Sequence, residues 1–351
     1  MRKFFKILLL LPFSLVYGLM GLIRNKLFDW GIFREKKFPI PVISVGNLSM
    51  GGVGKTPQVE YLIRLLKVQK RVAVLSLGYR RKTNGFLEAT STSSHLDIGD
   101  ESMQYATKFP DVIVAVCEKR KKGISKLLAK QEAPEVIILD DAFQHRYVKP
   151  SLNILLTDYF NLYVDDFILP SGSLREFRCE AKRADIVIVT KTNPVLPAID
   201  RKIIQSKLHL RESQKLYFSY IKYLMPVSLY EPEKELSQRL TTIFMVVGIA
   251  NPYPFEKHLQ GYCIDLHRFI FSDHHNFTKK EILKIIKEFN QHLSRKKAIV
   301  TTEKDAQRLK AEPFSSLLQG LPVYYVPIEV VFHKEEGQSF DELVMGKTGL
   351  F

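Results

Sequence analysis

The 351-residue sequence predicts an α/β fold. A mostly parallel, doubly wound sheet forms the main body, with a smaller α/β unit after it and an apolar helical segment ahead of it. Three observations carry that expectation. Short β-branched runs alternate with helical or loop stretches from Ile40 to Thr190. The first run ends at Gly46 and passes into a glycine-rich turn closed by Lys55 and Thr56. A later run, Val136-Ile137-Ile138-Leu139, carries two carboxylates, Asp140 and Asp141, to its tip.

Composition sets the limits. Hydrophobic content of 46% and charged content of 25% describe an ordinary globular chain, long enough for two domains and a sizeable core. The 52 Lys and Arg outnumber 37 Asp and Glu, a net charge of +15 that suits a polyanionic partner such as a membrane surface or a phosphorylated substrate. No RNA- or DNA-binding motif is present, so no nucleic-acid partner is expected. Cys117, Cys179 and Cys263 are far apart and odd in number, which offers neither a disulfide framework nor zinc spacing and fits a reducing compartment. The expected divisions are 1–36 (membrane-associated helical segment), 37–222 (main core), 223–240 (linker or hairpin) and 241–351 (smaller α/β unit).

The chain opens with Arg2, Lys3 and Lys6, and then has no charged residue from Ile7 to Ile23 before Arg24 and Lys26. A spanning helix needs about 20 apolar residues, and this run is marginal, contains Pro12 and is basic at both ends. A signal peptide lacks a clear cleavage site. The favoured reading is one helix, or two broken near Pro12, lying in a single leaflet with basic residues at the headgroups.

Ile40 to Val45 reads as a buried strand. The turn Gly51-Gly52-Val53-Gly54-Lys55-Thr56 follows, then a helix with Val59, Leu62, Ile63 and Leu66 on one face. Strand, anion-cradling loop and helix in that order form a P-loop: backbone N–H groups converge on phosphate oxygens, Lys55 reaches the β/γ-phosphates and the Thr56 hydroxyl ligates Mg²⁺. A strict pattern wants glycine where this chain has Ser49. Val72 to Leu77 is the next strand, followed by the basic turn Gly78-Tyr79-Arg80-Arg81-Lys82, either a ligand loop or a solvated one. Residues 83–98 read as a surface loop. Asp100 and Glu101 head a helix to Lys108, a place where an N-cap aspartate is commonplace. Val112 to Val116 is a strand, and a basic helix runs on through Lys130.

Asp140 and Asp141 stand at a strand tip in the Walker B arrangement, where a carboxylate holds Mg²⁺ beside the P-loop. Gln144 and His145 should line the same cleft, His145 either as a bystander or in a functional role. Ile154 to Thr157 and Ile186 to Thr190 complete six strands, with Arg175 and Glu176 in the loop between them. Leu216 to Ile221 alternates, as a strand at an edge or between domains does. In the smaller unit, strands fall at Thr242 to Val247, Ala298 to Thr302 and Val323 to Pro327. A helix over 278–293 starts with a Thr278–Glu281 capping box. Asp273-His274-His275 is a poor metal pair, because adjacent ligands project apart; a proton-handling histidine in the cleft suits it better.

Together these residues resemble the tetraacyldisaccharide 4′-kinase (lipid A 4′-kinase) family. The likeness rests on residues 45–57 with their Ser49, on Gly78-Tyr79, Gly99-Asp100-Glu101, Asp140-Asp141-Ala142-Phe143-Gln144-His145 and Leu169-Pro170-Ser171-Gly172-Ser173-Leu174-Arg175-Glu176. It continues through Asp273-His274-His275 and Thr302-Glu303-Lys304-Asp305, in order along nearly the whole chain. Ala142 stands where the pattern has glycine. The resemblance implies transfer of the ATP γ-phosphoryl group to the 4′-hydroxyl of an acylated disaccharide 1-phosphate lipid, at the cytoplasmic face of the bacterial inner membrane. It implies ATP and Mg²⁺, with Asp100 as base assisted by His274. Gly51, Gly52, Val53, Gly54, Lys55, Thr56, Gln144, Arg175 and Glu176 are expected around the nucleotide, and Thr56, Asp140 and Asp141 around the metal. Arg80, Glu101, Arg120 and His145 are expected on the acceptor side. A monomer is expected. The rival class is a membrane-associated P-loop ATPase switch controlling a protein partner, which explains the nucleotide motifs but has no need of Asp273-His274.

Overall fold

The computed structural model describes residues 2–349 apart from 232, 237, 274, 334 and 335, with side chains from residue 9 onward. Nine strands make the larger sheet, in the order Ile328–Phe332, Lys215–Tyr223, Ile186–Thr190, Leu152–Asp158, Val42–Asn47, Val136–Asp140, Val72–Ser76, Ile113–Val116 and Leu87–Glu88. The seven inner strands are parallel, and the strand at each edge pairs antiparallel. Both faces of the central strands are covered, so Val42–Asn47, Val136–Asp140 and Ile186–Thr190 are buried along their whole length. Helix Lys55–Leu66 lays Val59, Leu62, Ile63 and Leu66 onto this sheet, as its 3–4 spacing requires. Each such side chain contributes roughly 1.5–3 kcal/mol by leaving water, and truncating Leu62 to Ala costs about 2–5 kcal/mol.

A second sheet of five strands runs Cys263–Ile270, Leu240–Val247, Lys297–Thr302, Val323–Val326 and Val227–Ser228, the last antiparallel. Helix Lys279–Gln291 starts on the expected capping box, with the Glu281 amide donating to the Thr278 hydroxyl and the Glu281 carboxylate accepting from the Thr278 amide.

The structure departs from the sequence expectation in four places. Strand Lys215–Tyr223 is not at the edge, because Ile328–Phe332 covers it. That strand and helix Glu336–Thr348 return to the larger sheet although they lie in the 241–351 stretch. Phe332 and Phe340 stack at 4.5 Å, and Tyr61 packs edge-on against both. The stretch 83–98 holds a short strand and helix His95–Ile98, closed by its own Ser94–Asp97 capping box. Within 223–240, Val227–Ser228 is part of the second sheet.

The N-terminal segment is one helix, Arg2–Asp29, unbroken at Pro12. One face docks on the core. Ser14 Oγ donates to Ser171 Oγ at 2.7 Å and accepts from its amide at 2.9 Å. Gly18 lies so close to Phe177 that a Cβ there would sit 2.5 Å from the ring. Arg24 (2.7 Å) and Asn25 (3.1 Å) both reach Glu176 Oε1. The opposite face exposes Leu9, Phe13, Val16, Met20 and Ile23. Among the described residues no helix is long and apolar enough to cross a membrane.

Candidate active site

Parallel strands direct their C-terminal ends to one rim of the sheet, and four adjacent ends meet there. Asn47 ends the central strand and acts as a hub. Lys55 Nζ donates to its Oδ1 at 3.0 Å, Arg175 Nη2 donates to its Oδ1 at 2.8 Å and its carbonyl at 3.0 Å, and Gln144 Nε2 reaches the same carbonyl at 2.9 Å. Arg175 also grips Asp141 through both carboxylate oxygens, at 2.7 and 3.2 Å. Lys55 Nζ lies 3.7 Å from Asp141 Oδ1. The stretch 173–175 runs beside the glycine-rich loop, with Met50 N donating to Ser173 O and Arg175 N to Leu48 O, each at 2.7 Å. On the other flank Thr190 Oγ1 donates to Val53 O at 2.7 Å, and Lys191 binds both Gly52 O and Asp158. The loop is therefore held from both sides.

The two strand-tip carboxylates differ. Asp140 is buried, and burial first, then the charge of Asp141, pushes its pKa up to about 6 against the pull of Lys55. Its Oδ2 accepts from the Tyr105 hydroxyl at 3.1 Å, a group that also faces Thr56, while its Oδ1 has no hydrogen-bond partner. Burial also works against Asp141, but Lys55 and the Arg175 bonds outweigh it and bring it to about 2. A buried carboxylate oxygen without a protein partner costs free energy unless a cation or water meets it. The donors gathered here, Thr56, Asp140 and Asp141, are all hard oxygens, a set that fits Mg²⁺.

Across the rim lies a second cluster built from both sheets. Gly99 precedes helix Asp100–Lys108 at φ 85°, where a Cβ would also meet the Tyr79 carbonyl at 2.9 Å. This places Asp100 against Arg308 of helix Glu303–Leu309. Arg308 Nε donates to Asp100 Oδ1 at 3.2 Å and Nη2 binds Oδ2, a buried bidentate pair. Arg308 Nη1 reaches the His275 carbonyl at 3.0 Å and Asp305 at 3.3 Å. Burial works against the Arg308 charge, yet Asp100 and Asp305 outweigh it and raise its pKa. Asp305 is itself held by the Gly248 amide (2.9 Å) and the Thr302 hydroxyl (2.8 Å). Along the same seam Lys304 lies 3.9 Å from Glu101 and 3.4 Å from Asp273, and Lys108 bridges Glu60 and Glu303 at 2.8 and 2.7 Å. His274 lies outside the described residues.

Not every candidate faces the cleft. Arg120 is only 2% exposed and donates to the carbonyls of Cys117 (2.6 Å) and Asp140 (3.0 Å), so it braces the strand tip from behind. Glu176 is buried against Arg24, Asn25 and Arg183, and joins the N-terminal helix to the core. Burial and then the Arg120 charge lower the His145 pKa to about 4, so His145 is neutral at pH 7. Arg80 is exposed, at φ 61°, with its guanidinium 5.5 Å from the Tyr79 ring. Sequence reasoning missed Asn47, Thr190 and Arg308. Asn47 directly follows Gly46, where the apolar run stops, and Asp305 and Arg308 share a helical i, i+3 spacing; those are the signals that were present.

The family model for tetraacyldisaccharide-1-P 4′-kinase matches residues 6–347. The chain belongs to the tetraacyldisaccharide-1-P 4′-kinase family. A tetraacyldisaccharide 4′-kinase of Parabacteroides distasonis is 48% identical over 344 residues, covering 96% of this chain and 93% of its own. One from Bacteroides thetaiotaomicron is 45% identical, over 96% and 92%. A crystal structure of LpxK from Aquifex aeolicus in complex with ATP is similar with a TM-score of 0.74 at 30% identity, covering 97% of this chain and 99% of that one. The resemblance carried by Ser49 and Gly99-Asp100-Glu101 is thus borne out at the level of the tetraacyldisaccharide 4′-kinase family.

Proposed function

We propose that this chain is an ATP-dependent phosphotransferase. It moves the γ-phosphoryl group to the 4′-hydroxyl of a tetraacylated glucosamine disaccharide 1-phosphate, a step of lipid A biosynthesis. The observation that carries the reading is the strand-tip cluster of Asn47, Lys55, Asp141 and Arg175, beside an Asp140 oxygen that accepts no hydrogen bond among the described residues.

Phosphoryl transfer is mainly positioning and charge neutralisation. The amides of Gly51, Gly52, Val53 and Gly54 and the Lys55 ammonium cradle the phosphates, and Gln144 and Arg175 fix the nucleotide-side wall. Thr56, Asp140 and Asp141 would hold Mg²⁺, which when bound would supply positive charge that offsets the charge of the phosphates. On the acceptor side Asp100 takes the 4′-hydroxyl proton as the new O–P bond forms and the bond to the ADP oxygen breaks. His274 is proposed to assist, and Arg308 holds the Asp100 carboxylate in orientation. Glu101, Arg80 and His145 are assigned to the acceptor side. Arg120 is assigned there indirectly, through the Asp140 carbonyl that it braces.

The unit around 241–351 is proposed to close over the 37–222 core through the Asp100–Arg308 seam and exclude water. The apolar outer face of helix Arg2–Asp29 suits one leaflet of an anionic inner-membrane surface, on its cytoplasmic side, with 223–240 as connection. We assign a monomer with no nucleic-acid partner.

Labelled γ-phosphate tests the reading. Label in a chloroform-soluble glycolipid is expected. Label found only as inorganic phosphate, with a protein partner released, would replace the kinase with an ATPase switch.

A further inference from the structure

Away from the kinase cleft, the smaller sheet carries a side-chain group that phosphoryl transfer does not use. Among the described residues, Asp265, His267 and His292 bring one ligand atom each to within 4.8 Å of one another. Asp265 and His267 are two apart on strand Cys263–Ile270, so both project from one face. That strand is the edge of its sheet, paired only with Leu240–Val247, and His267 sits opposite Phe244 in the register. His292 is the residue that ends helix Lys279–Gln291, where its amide closes the last turn on Glu288 and Phe289. A chain reversal separated by 25 or more residues thus returns the second imidazole to the first.

The rings are oriented by packing, not by chance exposure. His267 stacks on the buried Phe244 ring at 4.8 Å and 10°. His292 stands edge-on to the same Phe244 ring at 5.6 Å, and to His267 at 5.0 Å and 78°. Asp265 Oδ2 already lies 2.9 Å from His267 Nε2. Ligands about 2.0–2.2 Å from a tetrahedral metal are about 3.3 Å apart, so this pair needs little movement and His292 a modest one.

We propose that Asp265, His267 and His292 form a site for a late first-row divalent cation of the zinc class. Two imidazoles and one carboxylate are the borderline nitrogen–oxygen set that favours such ions over Mg²⁺, which prefers oxygen alone. With three protein ligands the fourth position is left to water. The site binds at a cost: His292 Nδ1 accepts from the Ser294 amide at 3.2 Å, and that bond is given up or rearranged when the ring turns to the metal. The gain is a clip between the unprotected edge strand and the C-terminal end of the helix. In a parallel α/β unit that end is opposite the 271–278 loop, so the clip stiffens the smaller unit without entering the reaction. This assignment does not rest on the kinase reading.

The test uses the full chain in saturating Mg²⁺, which occupies hard-oxygen sites, titrated with Zn²⁺ against a chelating indicator. Expected are one equivalent of bound Zn²⁺ and a rise of a few degrees in Tm for the unaltered chain. Both effects should be lost in His267→Ala and in His292→Ala, each with a metal-free Tm close to that of the parent. Zn²⁺ stoichiometry that is unchanged in the two variants, or no bound equivalent in the parent, overturns the proposal. If His267→Ala loses its fold by unstacking from Phe244, His292→Ala and Asp265→Asn decide the matter.

Discussion

The two sides of the cleft are built in opposite ways. On the phosphate side, Asn47, Lys55, Asp141 and Arg175 sit on neighbouring strand ends of one sheet, or on the stretch beside them. Their backbone is fixed by the same hydrogen bonds that make the sheet. On the proposed acceptor side, Asp100 and Arg308 lie on helices that pack with different sheets and are 208 residues apart, joined by one buried bidentate contact. The first side is tied together by hydrogen bonds within one sheet. The second depends on a contact between two units, so we propose it as the side that motion between them switches. Under the role proposed for Asp100, that asymmetry limits loss of ATP to water, because Arg308 orients the carboxylate only when the units meet.

Substitutions at four positions break or sharpen this contrast. Lys55→Ala has the largest expected effect, a loss of about 10²–10³ in kcat, since it removes a fixed charge from the phosphates without touching the seam. Nucleotide binding weakens with it, as read by calorimetry. Arg308→Ala is next. It removes the guanidinium shared by the buried Asp100 and Asp305 carboxylates, costing about 3–5 kcal/mol of stability, and lowers kcat by roughly tenfold to a hundredfold through misplacement of Asp100. ATP affinity should stay near normal, and Arg308→Lys should restore only part of the rate. Loss of ATP binding in Arg308→Ala would merge the two sides into one.

The third concerns pH. Asp140 carries a proton below about pH 6 in the metal-free protein, because burial and Asp141 raise its pKa. Apparent Mg²⁺ affinity should therefore fall as pH drops through 6, and that step should vanish in Asp140→Asn. The sign for stability is the reverse. A carboxyl whose folded pKa is above its unfolded value penalises the fold at higher pH, so Asp140→Asn should raise the metal-free Tm at pH 8 while weakening metal binding at every pH. Glu176→Gln should do least, about 1–3 kcal/mol in stability from weakened bonds to Arg24, Asn25 and Arg183, with ATP affinity unchanged.

Legibility followed the same division. The glycine-rich loop and Asp140-Asp141 could be read because each lies within a few residues of a strand end, and a strand end is visible as an apolar run. The N-terminal helix was visible for the same reason, although its docking face was not: Ser14, Gly18 and Asn25 are scattered small or polar residues in an apolar run. Contacts between distant segments left no local mark. Arg308 is one cation among 52, and Arg120, expected on the acceptor side because cations open its helix, is instead buried behind the strand tip. Glu176 follows Arg175 directly, yet adjacent residues point apart, and only Arg175 reaches the Asn47–Asp141 cluster. The return of Ile328–Phe332 to the larger sheet was hidden because a five-residue edge strand has no pattern that names its partner.

Asp100→Asn separates the two sides most directly. It keeps the shape of the acceptor-side group and removes its charge. Measured by transfer of labelled γ-phosphate to the acylated disaccharide, alongside ATP binding to the same protein, kcat should fall by at least about a hundredfold with ATP affinity little changed. Near-normal turnover would remove Asp100 from the base role, and an equal loss of ATP affinity would contradict the separation of donor and acceptor sides.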